Sequence, residues 1–472
     1  MQQHLSILFL SIYIVVVLLI GIRNSGSKSS ADYFLASRRL PAWLLAITFI
    51  ASWWGGGSAI DLVDHAYRDG LASFWIYGVP VLFATLMMFF LAKKIRRSET
   101  LSQPQLMERR YGPTAGLLLT VFILVFMVLG AAVQVIVVGH FFQSFFGISY
   151  AMGALLGTSI VLLYSLFGGF RGVVLTDFLQ FVFFLLGGVA LLFYAYQESG
   201  GWEMVAKVAA AKGKTDYMSF WSLAPDYAVY VLTFGTSWSI QANVWQRIAA
   251  ARTERSAQGM MLRCFFAFIP LYLMVTLTGM FSSTFIDEVP AGGIVPYLIG
   301  LVEHPWVAAL IFIGLASAIM STMDSMLNTG ALSLTVDIYQ KHLRPTATPR
   351  ESVWIGRLST LAISLLALLI GLRMESVLAV SWIGADFLAT GAFVPLVCSF
   401  FWRGGTSRAA VVSMTFGLLF SLYNLAVALG APLPTAWETA SMQQALIGMT
   451  TSALLFVSVS LWGKGTKEAA LQ

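Results

Sequence analysis

The chain has 472 residues, of which 58% are hydrophobic and only 11% are charged, with a formal net charge of +6. A soluble domain of this length could not cover its surface with so few charged side chains. Apolar stretches of about 20 residues recur along the sequence, and this is the length that a helix needs to cross a bilayer. The basic residues fall in short loops between these stretches and require no nucleic-acid partner. We therefore expect an all-α polytopic membrane protein.

Thirteen transmembrane spans are predicted. In chain order they are 5–23, 41–66, 72–92, 114–142, 148–168, 173–197, 226–246, 258–284, 305–334, 353–372, 376–400, 409–430 and 437–462. The first segment is too long for the apolar core of a signal peptide and has no cleavage signature after it, so it should remain as a helix. The two cysteines, Cys264 and Cys398, lie far apart in apolar runs, so the sequence indicates neither a disulfide framework nor a metal site.

The basic residues predict the orientation of the chain. They follow the odd-numbered spans: Arg23, Lys28, Arg38 and Arg39; Lys93, Lys94, Arg96, Arg97, Arg109 and Arg110; Arg171; Arg247, Arg252 and Arg255; Lys341, Arg344 and Arg350; Arg403 and Arg408; Lys464 and Lys467. Loops rich in lysine and arginine stay on the cytoplasmic side. We therefore expect a multi-pass protein of the plasma membrane, such as a bacterial inner membrane, with its N-terminus outside and its C-terminus in the cytoplasm.

The second span contains an unusual stretch, FIASWWGGGSAI, at residues 49–60. Each glycine inside a helix costs about 1 kcal/mol relative to alanine. One interpretation is close helix packing, which small residues allow in lipid. The other is an unwound helix whose freed carbonyls and half-helix ends hold an ion and a solute. Three successive glycines favour the unwound helix, because packing motifs space their small residues four apart.

A second interrupted span, LTFGTSWSIQANVWQR at 232–247, concentrates glycine, hydroxyl and amide side chains within one crossing. The two interrupted spans open two runs of five, spans 2–6 and 7–11. An odd number of helices inverts the second run relative to the first, an arrangement found in many ion-coupled carriers. We expect one transporter domain over 1–472, with core repeats at about 41–197 and 226–400 and peripheral helices at 5–23, 409–430 and 437–462. This prediction rests on spacing and interruption alone.

The ninth span carries a stripe of small and hydroxyl residues: Ala318, Ser321, Thr322 and Ser325. Their spacing of three and four residues puts them on one helix face. Hydroxyl and carbonyl oxygens are the ligands that a hard cation prefers. The alternative is that the hydroxyls bond back to their own helix and permit tight packing. The stripe by itself does not distinguish a cation site from a packing surface.

Nucleotide-binding motifs are absent from the sequence, which argues against a primary pump. No catalytic constellation is visible at either membrane face, so we expect neither an enzyme nor a bound cofactor. The remaining classes are a secondary transporter and, as the alternative, a sodium- or solute-responsive channel or sensor without coupled uptake.

Four stretches carry a resemblance to a known family: DYFLASRRLPAWLLAITFIAS (32–52), LYSLFGGFRGVVLTDFLQ (163–180), VWQRIAAARTERSA (244–257), and AIMSTMDSML (318–327) through TVDIY (335–339). With them the chain resembles the sodium:solute symporters, which have the leucine-transporter fold. The resemblance implies import of a small organic solute with sodium as the coupling ion, by a protein that functions as a monomer in lipid. It also implies one sodium held by backbone carbonyls of Ala51, Trp54 and Ala318 and by the hydroxyls of Ser321 and Thr322.

The resemblance also raises the alternative of a second sodium site. Some members use an aspartate, here Asp177, with serines that match Ser321 and Ser325. Asp324 stands where those members have a serine, which puts this site in doubt. A carboxylate near a span end can also pair with a neighbouring cation, here Arg171, or form a solvated cap.

The break also resembles that of high-affinity choline transporters, where a tryptophan followed by glycines contacts the ligand; Trp53 takes that place. Tryptophan faces attract quaternary ammonium groups. The places of the other aromatic residues of that choline site hold Pro80, Leu129 or Gly130, and Gln241. The solute-binding residues expected from resemblance and position are Trp53, Gly57, Ser58, Trp238 and Gln241. These residues suit a small zwitterionic, cationic or neutral solute, and we expect an amine- or amide-bearing metabolite.

Overall fold

The computed structural model describes residues 2–23, 40–290, 292–434, 437–438 and 440–462. Its α-helices are α1 (Gln2–Arg23), α2 (Ala42–Trp53), α3 (Leu62–Asp69), α4 (Phe74–Arg97), α5 (Gln103–Tyr111), α6 (Pro113–Phe146), α7 (Tyr150–Ser199), α8 (Trp202–Ala211), α9 (Ala224–Tyr230), α10 (Thr236–Ser239), α11 (Ala242–Ala249), α12 (Glu254–Ser282), α13 (Ile294–Leu301), α14 (Pro305–Leu332), α15 (Pro349–Gly371), α16 (Val377–Gly391), α17 (Phe393–Phe401), α18 (Ser407–Ala428) and α19 (Met442–Trp462). Three π-helical segments (Gly57–Asp61, Val231–Gly235 and Ser333–Leu343) and one 3₁₀ segment (Gly70–Ser73) join or extend them.

The all-α membrane fold is confirmed. Nine helices in the described ranges are long and apolar enough to cross a bilayer, or ten if the bent pair α16 and α17 counts as one span. Helical backbone also lies within every other predicted segment, as shorter or interrupted helices. Of the residues used to predict the orientation, Lys28, Arg38, Arg39, Lys464 and Lys467 lie outside the described residues.

The predicted break in the second span is present. α2 ends at Trp53, and Trp54 leaves the helix with φ −84° and ψ 67°. The chain resumes a helical path at Gly57 as a π-helical turn that leads into α3. The last carbonyls of α2 therefore have no helical N–H partner in their own segment.

The seventh span is interrupted as well. α9 runs into a π-helical turn and the short α10, and Gln241 then adopts an extended conformation before α11 begins. A third departure from regular helix occurs in α7 at Gly169, whose φ of 52° is accessible to glycine at low cost. This kink lies at the predicted boundary between the fifth and sixth spans.

α14 lies in the interior of the fold. It packs against α7, α6, α1 and α2, and every residue from Ile311 to Leu332 is buried. A helix that is buried on all sides must pair its polar side chains with other protein groups, because lipid offers no hydrogen bonds. The Ser321 hydroxyl lies within hydrogen-bond distance of Ala51 on α2 and Asp177 on α7, and the Thr329 hydroxyl donates to Gln246 on α11.

Candidate ion and solute sites

The carbonyl oxygen of Ala51 is the meeting point of the broken second span and α14. Ser321 donates its hydroxyl to this oxygen over 2.9 Å, and the Thr322 hydroxyl donates over 3.4 Å. Ala51 belongs to the last turn of α2, where the break leaves its carbonyl without a helical donor. The helix break thus brings together three of the five residues predicted to hold sodium.

The other two predicted sodium residues flank this contact. Ala318 is buried on α14 one turn before Ser321. Trp54 supplies the irregular backbone of the break, while its indole ring packs on Phe184 at 6.0 Å and edge-on against Tyr272 at 5.0 Å. Its ring is therefore a packing group.

Asp177 is completely buried and has several partners. Its Oδ1 lies 2.7 Å from the Ser321 hydroxyl, and its Oδ2 accepts from the Thr48 hydroxyl and from Arg247 Nη2, the latter at 3.1 Å. Arg171, by contrast, is exposed. The alternatives of a pair with Arg171 or a solvated cap were wrong, because a kinked α7 turns Asp177 inward toward α2 and α14.

Arg247 was assigned to a cytoplasmic loop, and this was wrong as well. It is completely buried at the end of α11. Its Nε donates to the backbone and hydroxyl oxygens of Thr48, both at 3.2 Å. Its Nη1 donates to Asn243, and its Nη2 also donates to the Ser325 hydroxyl at 2.7 Å. The signal for burial is that Arg247 and Gln246 are the two polar residues of the run VWQRIAAA, which is apolar at its other positions.

Arg247 therefore contacts two residues of the second-sodium prediction, Asp177 and Ser325. The Ser325 hydroxyl also lies 3.1 Å from that of Ser52 and 3.3 Å from Asp324 Oδ1. Asp324 is completely buried. The resulting cluster holds two carboxyl groups and one guanidinium group next to the Ala51 contact.

A cavity of about 80 Å³ adjoins the break. All five predicted solute-binding residues line it, and it also contacts Thr322, so the predicted ion and solute sites share a wall. The full lining is Ser52, Trp53, Gly55, Gly57, Ser58, Tyr77, Val81, Phe126, Gly130, Val133, Gln134, Trp238, Gln241, Tyr272, Thr322, Met326, Val380, Ser381 and Gly384. None of these lining residues carries a formal charge.

The polar contacts of the cavity join the two interrupted spans. Trp53 Nε1 donates to Gln241 Oε1, linking the first break to the second. The Ser58 hydroxyl pairs with that of Tyr272 at 2.8 Å. Gln134 of α6 accepts from the backbone N–H of Gly56 at 2.8 Å. Gln134 was missed, although an amide in the middle of an apolar span is a visible signal for a buried polar contact.

Aromatic rings form one wall of the cavity. Tyr77 and Trp238 belong to the lining and stand nearly parallel with their ring centres 6.3 Å apart, and Phe234, which is not part of the lining, stacks on Trp238 at 4.9 Å. Trp53 faces Trp238 at 6.1 Å. Tyr77 lies three residues before Pro80, the position compared with the choline transporters. The Tyr77 ring therefore lines the cavity, although the comparison with the choline transporters pointed to Pro80 and not to Tyr77.

A second cavity, of about 350 Å³, lies along α3. Its titratable lining residues are Asp61, Asp64, His65, Arg68, His140 and Glu375. Tyr77 belongs to the lining of the smaller cavity and donates to Asp61 Oδ2 at 2.9 Å. The Tyr77–Asp61 hydrogen bond therefore joins a lining residue of the smaller cavity to a lining residue of the larger one.

Residues 33–417 match the model of the sodium:solute symporter family. The chain is 27% identical to a sodium/proline symporter of Haemophilus influenzae, covering 87% of this chain and 86% of that protein. It is 25% identical to a sodium/glucose cotransporter of Vibrio parahaemolyticus, covering 91% and 87%.

Among solved structures, the chain is similar to a sodium-coupled sialic acid symporter in a substrate-bound outward-open state, with a TM-score of 0.84 and 18% identity over 99% of each chain. A transporter of the nucleobase-cation-symport-1 family has the same fold at a TM-score of 0.59 and 11% identity, over 94% of this chain and 98% of that one. These likenesses place the chain in the leucine-transporter fold. A multi-pass membrane protein with sodium as its coupling ion, it belongs to the sodium:solute symporter family.

Proposed function

We propose that this protein imports a small organic solute together with sodium by alternating access. The observation that supports the proposal most directly is the convergence of the Ser321 and Thr322 hydroxyls on the Ala51 carbonyl at a helix break. In the proposed site, the two hydroxyls stay protonated and turn their O–H bonds away, and sodium lies between the two hydroxyl oxygens and the carbonyl oxygen. The carbonyls of Trp54 and Ala318 complete the set.

Coupling follows from the shared residues. Thr322 belongs to the proposed ion site and also lines the solute cavity. Sodium that holds α14 against the broken helix fixes the wall against which the solute binds. The solute must then strengthen sodium binding by the same factor, because the coupling free energy between two ligands is reciprocal.

For the second cation site at Asp177, Ser321 and Ser325, we propose that Arg247 supplies the positive charge. Arg247 holds Asp177 and Ser325, so a second sodium would have to displace it. A buried charge left without its partner is costly. The proposed stoichiometry is therefore one sodium per solute.

For the solute we propose an amine- or amide-bearing metabolite bound by Trp53, Gly57, Ser58, Trp238 and Gln241. The uncharged lining and the aromatic wall support this class. Proline, named for one of the relatives, is a small zwitterion with an amine group. Sodium or a half-helix end would have to balance the charge of an anionic solute.

The proposed topology keeps the N-terminus outside and the C-terminus in the cytoplasm of a bacterial inner membrane. The inverted repeats span about 41–197 and 226–400 within one domain of 1–472, with 5–23, 409–430 and 437–462 as peripheral helices, and the protein works as a monomer in lipid. The 350 Å³ cavity then opens to the outside and leads to the solute cavity through the Tyr77–Asp61 contact.

The test is a solute screen on purified protein, measured as thermal stabilisation with and without sodium, followed by uptake into proteoliposomes. A carrier gives sodium-gradient-driven accumulation and solute counterflow. Solute flux that follows its own gradient without counterflow would instead indicate a channel.

A further inference from the structure

Gln134 has an amide whose orientation is fixed by its partner. The backbone N–H of Gly56 can only donate, so the atom 2.8 Å from it must be the amide oxygen of Gln134. Gln134 is 4% exposed and reaches the break from α6. It therefore occupies an N–H group at the start of the second half of the broken helix.

This N–H group is where a carboxylate would otherwise bind. The first N–H groups of a helix lack intrahelical acceptors and carry a partial positive charge. Gly56 directly precedes the helical stretch that begins at Gly57, and the chain stays helical from Gly57 to Asp69. The neutral oxygen of Gln134 satisfies the Gly56 N–H without bringing a charge into the cavity.

Gln241 repeats the arrangement on the other side of the cavity. The Trp53 indole N–H can only donate, so the amide oxygen of Gln241 must be the acceptor of this hydrogen bond. Its Nε2 group lies 3.9 Å from the sulfur of Met326, which is a weak acceptor. The amide oxygens of Gln134 and Gln241 thus both accept hydrogen bonds from the protein, and their N–H groups remain to donate to a solute.

The rest of the lining matches these donors. The cavity is lined by hydroxyl groups, amides and aromatic rings, and none of its lining residues is charged. Burying a carboxylate without a charged or fully hydrogen-bonded partner is costly. A carboxamide, in contrast, offers a neutral oxygen acceptor of the same shape.

We propose that Gln134 takes the place of a solute carboxylate at the helix break, so that the transported solute is a carboxylate-free amide whose carbonyl oxygen accepts from Gln134 and Gln241. This rests on the proposed function, because it names the solute class of the same cavity. It also distinguishes this chain's solute from proline.

The experiment uses matched carboxylate and carboxamide pairs of different size: glycine and glycinamide, proline and prolinamide, nicotinate and nicotinamide. Each is titrated against the detergent-solubilised protein in saturating sodium, with thermal stabilisation as the readout. For the wild type, at least one amide should bind about tenfold or more tightly than its acid, because the cavity lining offers a buried carboxylate no charged partner.

Three variants make the test specific. Gln134→Ala frees the Gly56 N–H and should bind at least one acid of the panel about tenfold more tightly than the wild type does. Gln134→Glu keeps an acceptor on Gly56 but adds a negative charge, so it should go on rejecting the acids. Gln143→Ala, which removes an exposed amide from the same helix outside the cavity lining, should keep the wild-type order of preference.

The proposal is overturned if no amide of the panel binds the wild type about tenfold or more tightly than its acid, or if Gln134→Ala gains no acid binding, while sodium still stabilises each protein. Sodium stabilisation shows that each variant is folded. It also separates this result from a failure of the proposed function, in which sodium would stabilise none of the proteins.

Discussion

Arg247 and Asp177 form an ion pair with 3.1 Å between Nη2 and Oδ2, and neither side chain is exposed. They lie 70 residues apart in sequence, Asp177 on α7 and Arg247 on α11 of the second interrupted span. The pair also holds Thr48 and Ser325, so it connects α7 and α11 to both sides of the proposed ion site.

Removing one member of this pair should cost far more stability than removing both. Asp177→Asn leaves Arg247 buried without its counter-ion, and such changes cost about 3–5 kcal/mol. The double variant Asp177→Asn/Arg247→Gln should recover much of the loss in thermal unfolding experiments. The exposed pair Arg97–Glu254 is the matched control, and Glu254→Gln should have little effect. A double variant as unstable as the sum of the single ones would contradict a direct pairing.

The same residues test the sodium stoichiometry. If Arg247 is the cation of Asp177, sodium activation of the wild type should have a Hill coefficient near one. It should stay near one in any active Asp177 variant. A wild-type coefficient near two that falls to one in Asp177→Asn would instead identify a second sodium at Asp177, Ser321 and Ser325.

Ser321→Ala and Thr322→Ala should each weaken sodium activation more than they reduce stability, because each removes one oxygen ligand. The loss of a hydrogen-bonding or ligand group of this kind corresponds to about tenfold or more in the sodium concentration for half-maximal uptake. Coupling between sodium and solute should decrease in parallel. Ser317→Ala, one turn earlier on α14, is the control and should keep wild-type activation. Unchanged sodium dependence in both variants would remove these hydroxyls from the ion site.

The glycines of the break should differ in how they tolerate a methyl group. A Cβ on Gly55 would lie 2.8 Å from both Gln134 Oε1 and Thr322 Oγ1, whereas a Cβ on Gly57 would lie no closer than 3.3 Å to Tyr77. Gly55→Ala should therefore abolish binding of both solute and sodium, and Gly57→Ala should reduce solute affinity only. Paired thermal-shift titrations with sodium and solute measure both effects. Equal losses of sodium and solute affinity in the two variants would show that the difference in space around Gly55 and Gly57 does not control binding.

Trp53→Ala should abolish stabilisation by the solute and leave sodium binding nearly intact. Sodium contacts only backbone oxygens of the broken helix in the proposed site, while the Trp53 ring faces the cavity and its N–H holds Gln241. Gln241→Ala should act in the same direction. Trp43→Ala, which removes an exposed ring from the same helix, controls for a general loss of α2 stability. Normal transport by both cavity variants would place the solute elsewhere.

The sequence by itself determined the membrane class, the two interrupted spans and the hydroxyl stripe. These features depend on composition and on residues close together in the chain, such as the glycines at 55–57 and the four-residue spacing on α14. A run of glycines weakens a helix wherever it occurs, and a helical period places side chains on one face in any helix.

Tertiary structure decided which distant groups share a partner. Arg247 reads as a loop cation at a span end, yet the packing of α11 against α2 and α14 buries it beside Asp177. Gln134 and Tyr77 reach the proposed solute cavity from helices whose rotation no local sequence pattern encodes. The physical reason is that lipid gives polar groups no hydrogen bonds, so their partners are set by how the helices pack in three dimensions.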